Sequence, residues 1–461
     1  MNIFVSYHAL VPFEGVIYNY GENGLAKEIP IGGAARSGIT AQCQNARERP
    51  MLADSGLPLT IRSRMGFDKY VRRPLERFGA TSEEAVTITR AVCELLFNRK
   101  PEDCEENRIK TLKRLEERAQ KASNDVSKAE KTLEEATNPG AQTRNRASLI
   151  SKRAALARAE AELEEKDAEL KGLVRTDELL NPTTIEFGAF EEVAKEAYKN
   201  YKENSSKGDW KTRAFKATRK AYASFLKRLP DDDALAKKIN FRYGIDVAST
   251  GRMSTSDVLR RVDGSLARAY AYTIHPSETA PDPFVAVDTL ADEYGLRGAA
   301  HKNERQLTSN IFYYFRALDT NAHEAHLNGL LDGDPEEVAK QLRFEIQRHV
   351  FALANPPPGA KKGSTAPFSH AMWIMVEVGR SPVTTLKGFH HPVDFEGNVL
   401  ANGYKAASKY YNEYLENFEP DVQRAMMVIG PKEDMTIPGE RLSVKKLAAW
   451  AADQVYSLKK G

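Results

Sequence analysis

The side chains best suited to chemistry in this sequence are cations that stand near glycines and aromatic rings. Arg36, Arg47 and Arg49 lie around a helix whose start is capped by Thr40, where free N–H groups and the helix dipole favour anions. Lys27 follows Gly21 and Gly24 and precedes Gly32-Gly33, and adjacent glycines let a backbone approach a ligand closely. Arg62, Arg64, Lys69, Arg72 and Arg73 come next, interleaved with Phe67 and Tyr70 and opposed by Asp68 alone. Late in the chain, the run Pro356-Pro357-Pro358-Gly359-Ala360-Lys361-Lys362-Gly363-Ser364 reads as an exposed loop with two adjacent lysines. Cations supply sequence-independent affinity for phosphate, and rings can stack on bases. Together they suit the gripping of a nucleic-acid backbone, although each taken alone also fits a solvated surface.

Catalytic patterns are sparse. His323-Glu324-Ala325-His326 is one residue short of HExxH, so its histidines fall at i and i+3 where a zinc helix needs i and i+4. No GxSxG, Walker A or GxGxxG element stands between a strand and a helix. Aspartates and histidines do not gather at metal-ligand spacing, so neither a metal nor a cofactor is expected. His8 could act as a general base, but the simpler reading is a plain strand residue. His390-His391-Pro392 falls in a turn, where two adjacent side chains cannot easily share a ligand.

The elements that must position these residues follow from patterning. Ile3, Val5 and Tyr7 alternate with Phe4, Ser6 and His8, and Leu10 continues the second set, which is the period of a buried strand. Val16 to Pro30 reads as a loop, Arg36 to Ile39 as a short strand, and the Thr40 helix follows. From Glu102 to about Gly172 no aromatic residue occurs. Leu112, Leu115, Ala119, Ala122, Val126, Ala129, Leu133 and Ala136 step by threes and fours, a heptad seam that Asn138-Pro139-Gly140 ends. Leu149, Leu156, Leu163 and Leu170 recur at sevens, which predicts an antiparallel coiled-coil hairpin. Phe187 to Leu229 has helical spacing with aromatic anchors. Ile245 to Ser249, Ile311 to Phe315 and Met372 to Val378 look strand-like, and helices are expected over Glu336 to Leu353, Asn398 to Asn417 and Val444 to Leu458. The mixture is α+β.

The whole chain of 461 residues carries 67 Lys+Arg against 64 Asp+Glu, a net charge of +3. That balance excludes a protein that coats nucleic acid with its entire surface, so contact must be local. No run of about 18 apolar residues suggests a membrane span. The opening MNIFVSYHALVPF lacks a basic n-region and a small-residue cleavage site, and the three cysteines cannot build a disulfide framework. A reduced, cytoplasmic protein is expected.

In order along the chain stand a first strand ending in His-x-Leu, a loop with Asn19, Lys27, the run GGAARSGITAQCQNARER from Gly32 to Arg49, then IDVASTGRM, VDGSLARAYAYTIH and Asp282-Pro283-Phe284-Val285-Ala286-Val287-Asp288. This order resembles the CasC family, the crRNA-backbone subunit of type I-E CRISPR Cascade within the RAMP superfamily. The agreement covers roughly residues 1 to 75 and 240 to 380. The arm over 102–172 has no counterpart in the usual pattern.

The resemblance implies an RRM-like (ferredoxin-like) palm, helical fingers and a thumb, with the arm inserted in the fingers. On that scheme residues 1–60 are the first part of the palm, 61–240 the fingers, 241–267 a palm hairpin, 268–310 the thumb and 311–461 the rest of the palm. It implies a non-catalytic protein that binds crRNA, stacks head to tail with further copies of itself beside other Cascade subunits, and meets target DNA through guide pairing in antiviral defence. The resemblance places Lys27, Gln42, Arg47 and Arg49 against the guide backbone from the palm and Lys361 from the late loop. The cations Arg36, Arg62, Arg64, Arg252 and Lys362 extend the RNA-binding set. Met253, at the tip of a hairpin, and Phe284 with Val287 become apolar wedges beside displaced bases. Two departures stand out: the family has a lysine where this chain has Asn45, and an aromatic where it has Pro283. The rival reading is a RAMP-type subunit that cleaves target RNA with an acidic palm-loop residue, Glu14 or Glu22. A third reading is a helical adaptor built around the arm.

Overall fold

In a computed structural model of the chain, all residues are described except 1, 22–24, 136–137, 167–171, 177–180, 204–208, 229–242, 255, 257, 260, 287–300, 359–361, 382–386 and 461. The chain divides into two compact units, one of residues 1–59, 244–251 and 262–461, the other of residues 60–243 and 252–261.

The first unit is organised by strands β1 (Phe4–Phe13), β2 (Glu28–Ile31), β3 (Ala34–Ile39), β4 (Leu266–Arg268), β5 (Ala271–Thr273), β6 (Thr279–Ala286), β7 (His301–Thr308), β8 (Asn310–Asp319), β9 (Trp373–Gly379), β10 (Val422–Val428) and β11 (Glu440–Arg441). Nine of them form one sheet in the order β11-β10-β9-β1-β8-β5-β3-β2, with β4 also on β8, while β6 and β7 make a separate ribbon. β1 lies at the centre, antiparallel to both β8 and β9. Its two residue sets serve opposite faces. Tyr7 donates through its hydroxyl to the carbonyl of Ile346 in the helix Pro335–Ala354, at 3.1 Å. Leu10 joins Trp373, Tyr404 and Tyr411 in the cluster under the helix Val399–Phe418. A strand covered on both faces is mostly apolar, as β1 is apart from Ser6 and His8.

The hairpin β2–β3 corrects the expectation of a loop running to Pro30. Glu28–Ile31 pairs antiparallel with Ala34–Ile39, and Gly32 and Gly33, at φ of 62° and 83°, are the two-residue turn that such a pairing favours. A Cβ on Gly32 would stand 1.7 Å from the carbonyl oxygen of His390. The glycine therefore admits the chain's own backbone, and no ligand is needed to explain it.

Ile245 to Ser249, read as strand-like, is instead the helix Ile245–Thr250. The β-branched residues are buried on packing, and the Ile245 N–H is bonded to the Pro58 carbonyl at 2.9 Å, so tertiary context overrides propensity. Beyond it, Gly251 and Gly264 face each other: a Cβ on Gly251 would meet the Gly264 nitrogen at 2.9 Å, and one on Gly264 the Gly251 nitrogen at 2.7 Å. The expected hairpin around Met253 is corrected as well. Its flanks carry single bridge positions at Arg252 and Val262, and the described residues between them form no strand.

The second unit is helical. Phe67, Phe187, Phe190, Tyr222 and Phe225 fill its core between the helices Ser82–Leu96, Thr184–Glu203 and Trp210–Arg228. Thr81 with Glu84, and Thr183 with Glu186, exchange side-chain and backbone bonds at two helix starts. The long helix Pro101–Glu134 packs on Pro139–Glu165 through Val126, Ala129 and Leu149, with Leu133 and Leu156 beside them. Arg118 pairs with Glu162 at 2.6 Å and Arg153 with Glu130 at 2.8 Å, so the two helices run antiparallel. Among the described residues no helix is long and apolar enough to cross a membrane.

Candidate nucleic-acid interface

In the first unit, the helix Ala41–Glu48 is the element on which the candidate cations converge. Thr40 caps it, its Oγ1 accepting from the Cys43 N–H at 3.2 Å. Gln44 fixes its inner face by donating to the carbonyls of Ile39 and Ala269 at 3.2 and 3.0 Å. Gln42 is exposed on this helix, and Lys27, half-buried, is held by backbone bonds to Asn19 and Gly38. The Lys27 side chain makes no ion pair among the described residues.

Three of these arginines have partners within the protein. Arg36 is fully buried, donating to the Thr273 carbonyl at 2.5 Å and to those of Phe389 and His390 at 3.5 Å, so it ties the sheet together and faces no solvent. Arg47 lies over the Tyr18 ring at 4.1 Å and donates to the Tyr18 carbonyl at 2.5 Å, bracing the loop behind β1. Arg49 pairs with Asp246 at 2.9 Å, which offsets its charge while leaving it partly exposed. Lys362 is exposed at the start of the short helix Lys362–Thr365. Phe284, 38% exposed, stands in β6 opposite Asn303, with Pro283 opposite Glu304. Lys361, Val287 and Glu22 lie outside the described residues, and Glu14 is exposed after β1. The Asn45 side-chain Oδ1 is buried without a hydrogen-bond partner among the described residues.

In the second unit, Arg62 and Arg64 are exposed. Their neighbour Arg72 is not available for phosphate, because it is buried between Asp68 at 2.5 Å and Glu76 at 2.6 Å. Phe67, which could have stacked a base, lies in the core at 5.4 Å from the Phe187 and Phe190 rings, and Tyr70 stacks on Phe187 at 5.1 Å. Arg252 is another correction: it is buried and donates to both carboxylate oxygens of Glu186, at 2.9 and 3.0 Å. That pair anchors the loop beside it. Met253, the next residue, is 96% exposed.

The histidines that stood out in the sequence all have partners within the chain. His8 is buried in β1, with Nδ1 2.9 Å from the Tyr313 hydroxyl and Nε2 3.3 Å from Glu377, so it has no access to a substrate. His323 bonds Ser265 at 2.8 Å and His326 bonds the Asp263 carbonyl at 2.9 Å. The rings of His390 and His391 meet edge to face at 5.3 Å. Among the described residues no group of three or more His, Cys, Asp or Glu is placed to hold a metal.

Sequence reasoning missed what holds the first helix down. Glu48 is buried and accepts from Arg316 at 2.8 and 2.9 Å and from Arg268 at 2.7 Å. Arg348 lies 3.9 Å from Glu48 and donates to Glu345 at 2.9 Å, and Ser249 donates to Glu345 at 2.8 Å. Burial alone would raise the Glu48 pKa, but Arg268 and Arg316 outweigh it and hold the carboxyl well below the ordinary range. Burial, joined by Arg316, pushes Arg268 down to about 10, so it remains charged. The signal was legible: Gln44 and Glu48 are one turn apart on the inner face, and Arg316 is the one basic residue within the mostly apolar strand sequence NIFYYFRALD.

Two buried histidines give this unit an acid limit. Burial pushes His323 down to about 4 and, with Arg348, His349 down to about 3, from an ordinary 6.5. Below pH 6.5 the unfolded chain binds protons that these folded groups refuse, so stability is full above 6.5 and falls as pH drops toward the folded values. The slope is about 1.4 kcal/mol per pH unit for each histidine. Glu48 and Glu345, both held low, add loss of the same sign below their ordinary range. Thermal unfolding from pH 7 to pH 4 is expected to show a steadily falling Tm. A flat Tm between pH 6.5 and pH 4.5 would contradict the neutral, buried state of both rings.

The sequence matches the CT1975-like protein family over residues 5–450. None of the curated proteins matches it. The fold is similar to that of a chain in a solved structure described as a CRISPR RNA-guided surveillance complex, pre-nicking, with a TM-score of 0.64 and 17% identity, covering 97% of this chain and 100% of that one. A chain of a second CRISPR RNA-guided surveillance complex matches with a TM-score of 0.54 and 15% identity over the same shares. At such identities the likeness is one of fold.

Proposed function

We propose that this chain, which belongs to the CT1975-like protein family, is a non-catalytic backbone subunit of a CRISPR effector complex, of the CasC kind found in type I-E Cascade. It binds crRNA, repeats head to tail along the guide beside other subunits of the complex, and leaves the base edges free to pair with target DNA. The observation that carries this reading is the correspondence of fold over 97% of the chain with a chain of a CRISPR RNA-guided surveillance complex. The exposed cations Arg62, Arg64 and Lys362, with half-buried Lys27 and exposed Gln42, support it, since a guide has to be gripped through its phosphates. On this reading the first unit with its sheet is an RRM-like palm, the ribbon β6–β7 is the thumb, the second unit is the fingers, and its antiparallel helix pair is a coiled-coil arm. Met253 and Phe284 act as wedges that displace bases at intervals, at a cost of a few kcal/mol per unstacked step that backbone contacts offset.

The proposal is tested by mixing the purified chain with RNAs of increasing length and counting bound copies by native mass spectrometry. The expected result is a copy number that rises in equal steps with RNA length, with the RNA left intact in the presence of Mg²⁺. A single copy on every length would overturn the backbone reading. Regularly spaced cleavage abolished by Glu14→Ala or Glu22→Ala would overturn the non-catalytic one.

A further inference from the structure

The helix Pro139–Glu165 carries two apolar faces, and the chain itself covers one of them. Leu149, buried, and Leu156, half-buried, meet the helix Pro101–Glu134, and Ala159 on the same side is 1% exposed. Ile150, Ala154, Ala157 and Ala161 step by four, three and four along the other side, roughly 120° around the helix from those leucines. All four are exposed, Ile150 to 69%. Helix propensity accounts for an alanine at the surface, but not for an exposed β-branched isoleucine in register with three of them. Spacing of this kind is the seam of a coiled coil, present here in addition to the seam that closes the hairpin.

The charges beside this outer face indicate what covers it. Arg146, Arg153 and Glu160 recur at sevens along one flank, and Ser151 and Arg158 along the other, and all five are exposed. Arg153 bonds Glu130 of the neighbouring helix at 2.8 Å while its side chain stays 62% exposed, and a guanidinium has donors for a second carboxylate. An antiparallel copy of the same helix would set Ile150 on Ala161 and Ala154 on Ala157, each layer occurring twice by symmetry. On the flanks, Arg153 would then lie opposite Glu160, and Arg158 opposite Ser151. A parallel copy would instead set Arg153 against Arg158, two like charges. The face is thus complementary to itself in one direction.

We propose that the arm docks on the arm of a second copy of this chain, helix Pro139–Glu165 against its antiparallel equivalent, about a two-fold axis between Ala154 and Ala157. Alanines in the central layers let the two helices approach closely, and the Arg153–Glu160 pairs fix the direction. Such a contact is isologous and closes at two copies, unlike a head-to-tail repeat. It uses none of the guide-binding residues, so its failure leaves the proposed function standing.

Sedimentation of the full chain without RNA tests it, at concentrations up to about 100 µM, where a small transient interface still forms. A dimer share that grows with concentration is expected. Ala157→Glu, checked for unchanged Tm, should weaken association by about tenfold or more, since it puts a charge into a central layer. Arg153→Glu and Glu160→Arg should each weaken it as well, and an equimolar mixture of these two variants should restore it, because both flank pairs then have opposite signs. Direction is read by mild oxidation: a mixture of Ile150→Cys and Ala161→Cys should give a disulfide-linked dimer that neither variant nor the native chain gives alone. Within one helix those positions lie about 16 Å apart, beyond the reach of a disulfide in a parallel pair. A chain that stays monomeric throughout would overturn the proposal. So would association that Ala157→Glu leaves unchanged, no recovery in the mixture of charge variants, or cross-linking of Ile150→Cys to itself.

Discussion

Glu48→Gln is expected to destabilise the first unit by about 3–5 kcal/mol, the cost of breaking a buried ion pair from one side. Glutamine keeps the shape of the side chain but removes the charge that satisfies Arg268 and Arg316. Both guanidiniums are almost fully buried, and Arg348 stands in the same cluster. Three cations would then share Glu345 as the remaining carboxylate of this network. Removing the cation side separates charge from packing: Arg268→Met alone should cost less, and the double variant Glu48→Gln/Arg268→Met should recover part of the loss. Urea unfolding of each variant measures the difference. A loss below about 1 kcal/mol for Glu48→Gln would mean that the network is not what seats the first helix.

The second large effect is on RNA binding. Reversing Lys27 to glutamate in the first unit, or Arg62 and Arg64 together in the second, should lower affinity for every RNA sequence alike. Accessibility decides which cations matter: these side chains can reach an incoming phosphate, whereas Arg36 and Arg252 are spent on the protein's own carbonyls and carboxylates. Arg36→Ala and Arg252→Ala should therefore reduce stability, because each leaves buried acceptors without a donor. Met253→Ala should leave the fold intact, as the side chain touches almost nothing in the chain alone.

Much of the architecture was legible because periodicity reports burial directly. β1 alternates its faces in the sequence just as Tyr7 and Leu10 serve opposite helices in the structure, and the seam through Val126, Ala129 and Leu133 is where the long helices meet. The errors fall where local pattern and tertiary setting diverge. Ile245, Val247 and Ala248 look like a strand because they are β-branched or small, but packing buries them on a helix. Among the site residues, type was readable and direction was not. Arg36 and Arg72 carry the same charge as Arg62, yet one lies within a sheet beside backbone carbonyls and another one turn from Asp68. Phe67 has the chemistry of a stacking surface and the position of a core residue. The partners that decide such cases come from distant parts of the chain, as Glu48 and Arg316 do, and no local window contains both.

On the proposed function this chain grips a guide through the phosphate backbone of the RNA. The salt dependence of RNA affinity tests that grip, measured for the native chain, Lys27→Glu, and Arg62→Glu/Arg64→Glu on two RNAs of unrelated sequence. Equal affinities for the two RNAs are expected, with a slope of log affinity against log salt that becomes shallower by about 0.7 for each phosphate no longer neutralised. Unchanged slopes in both variants, or a weakening confined to one RNA sequence, would contradict it.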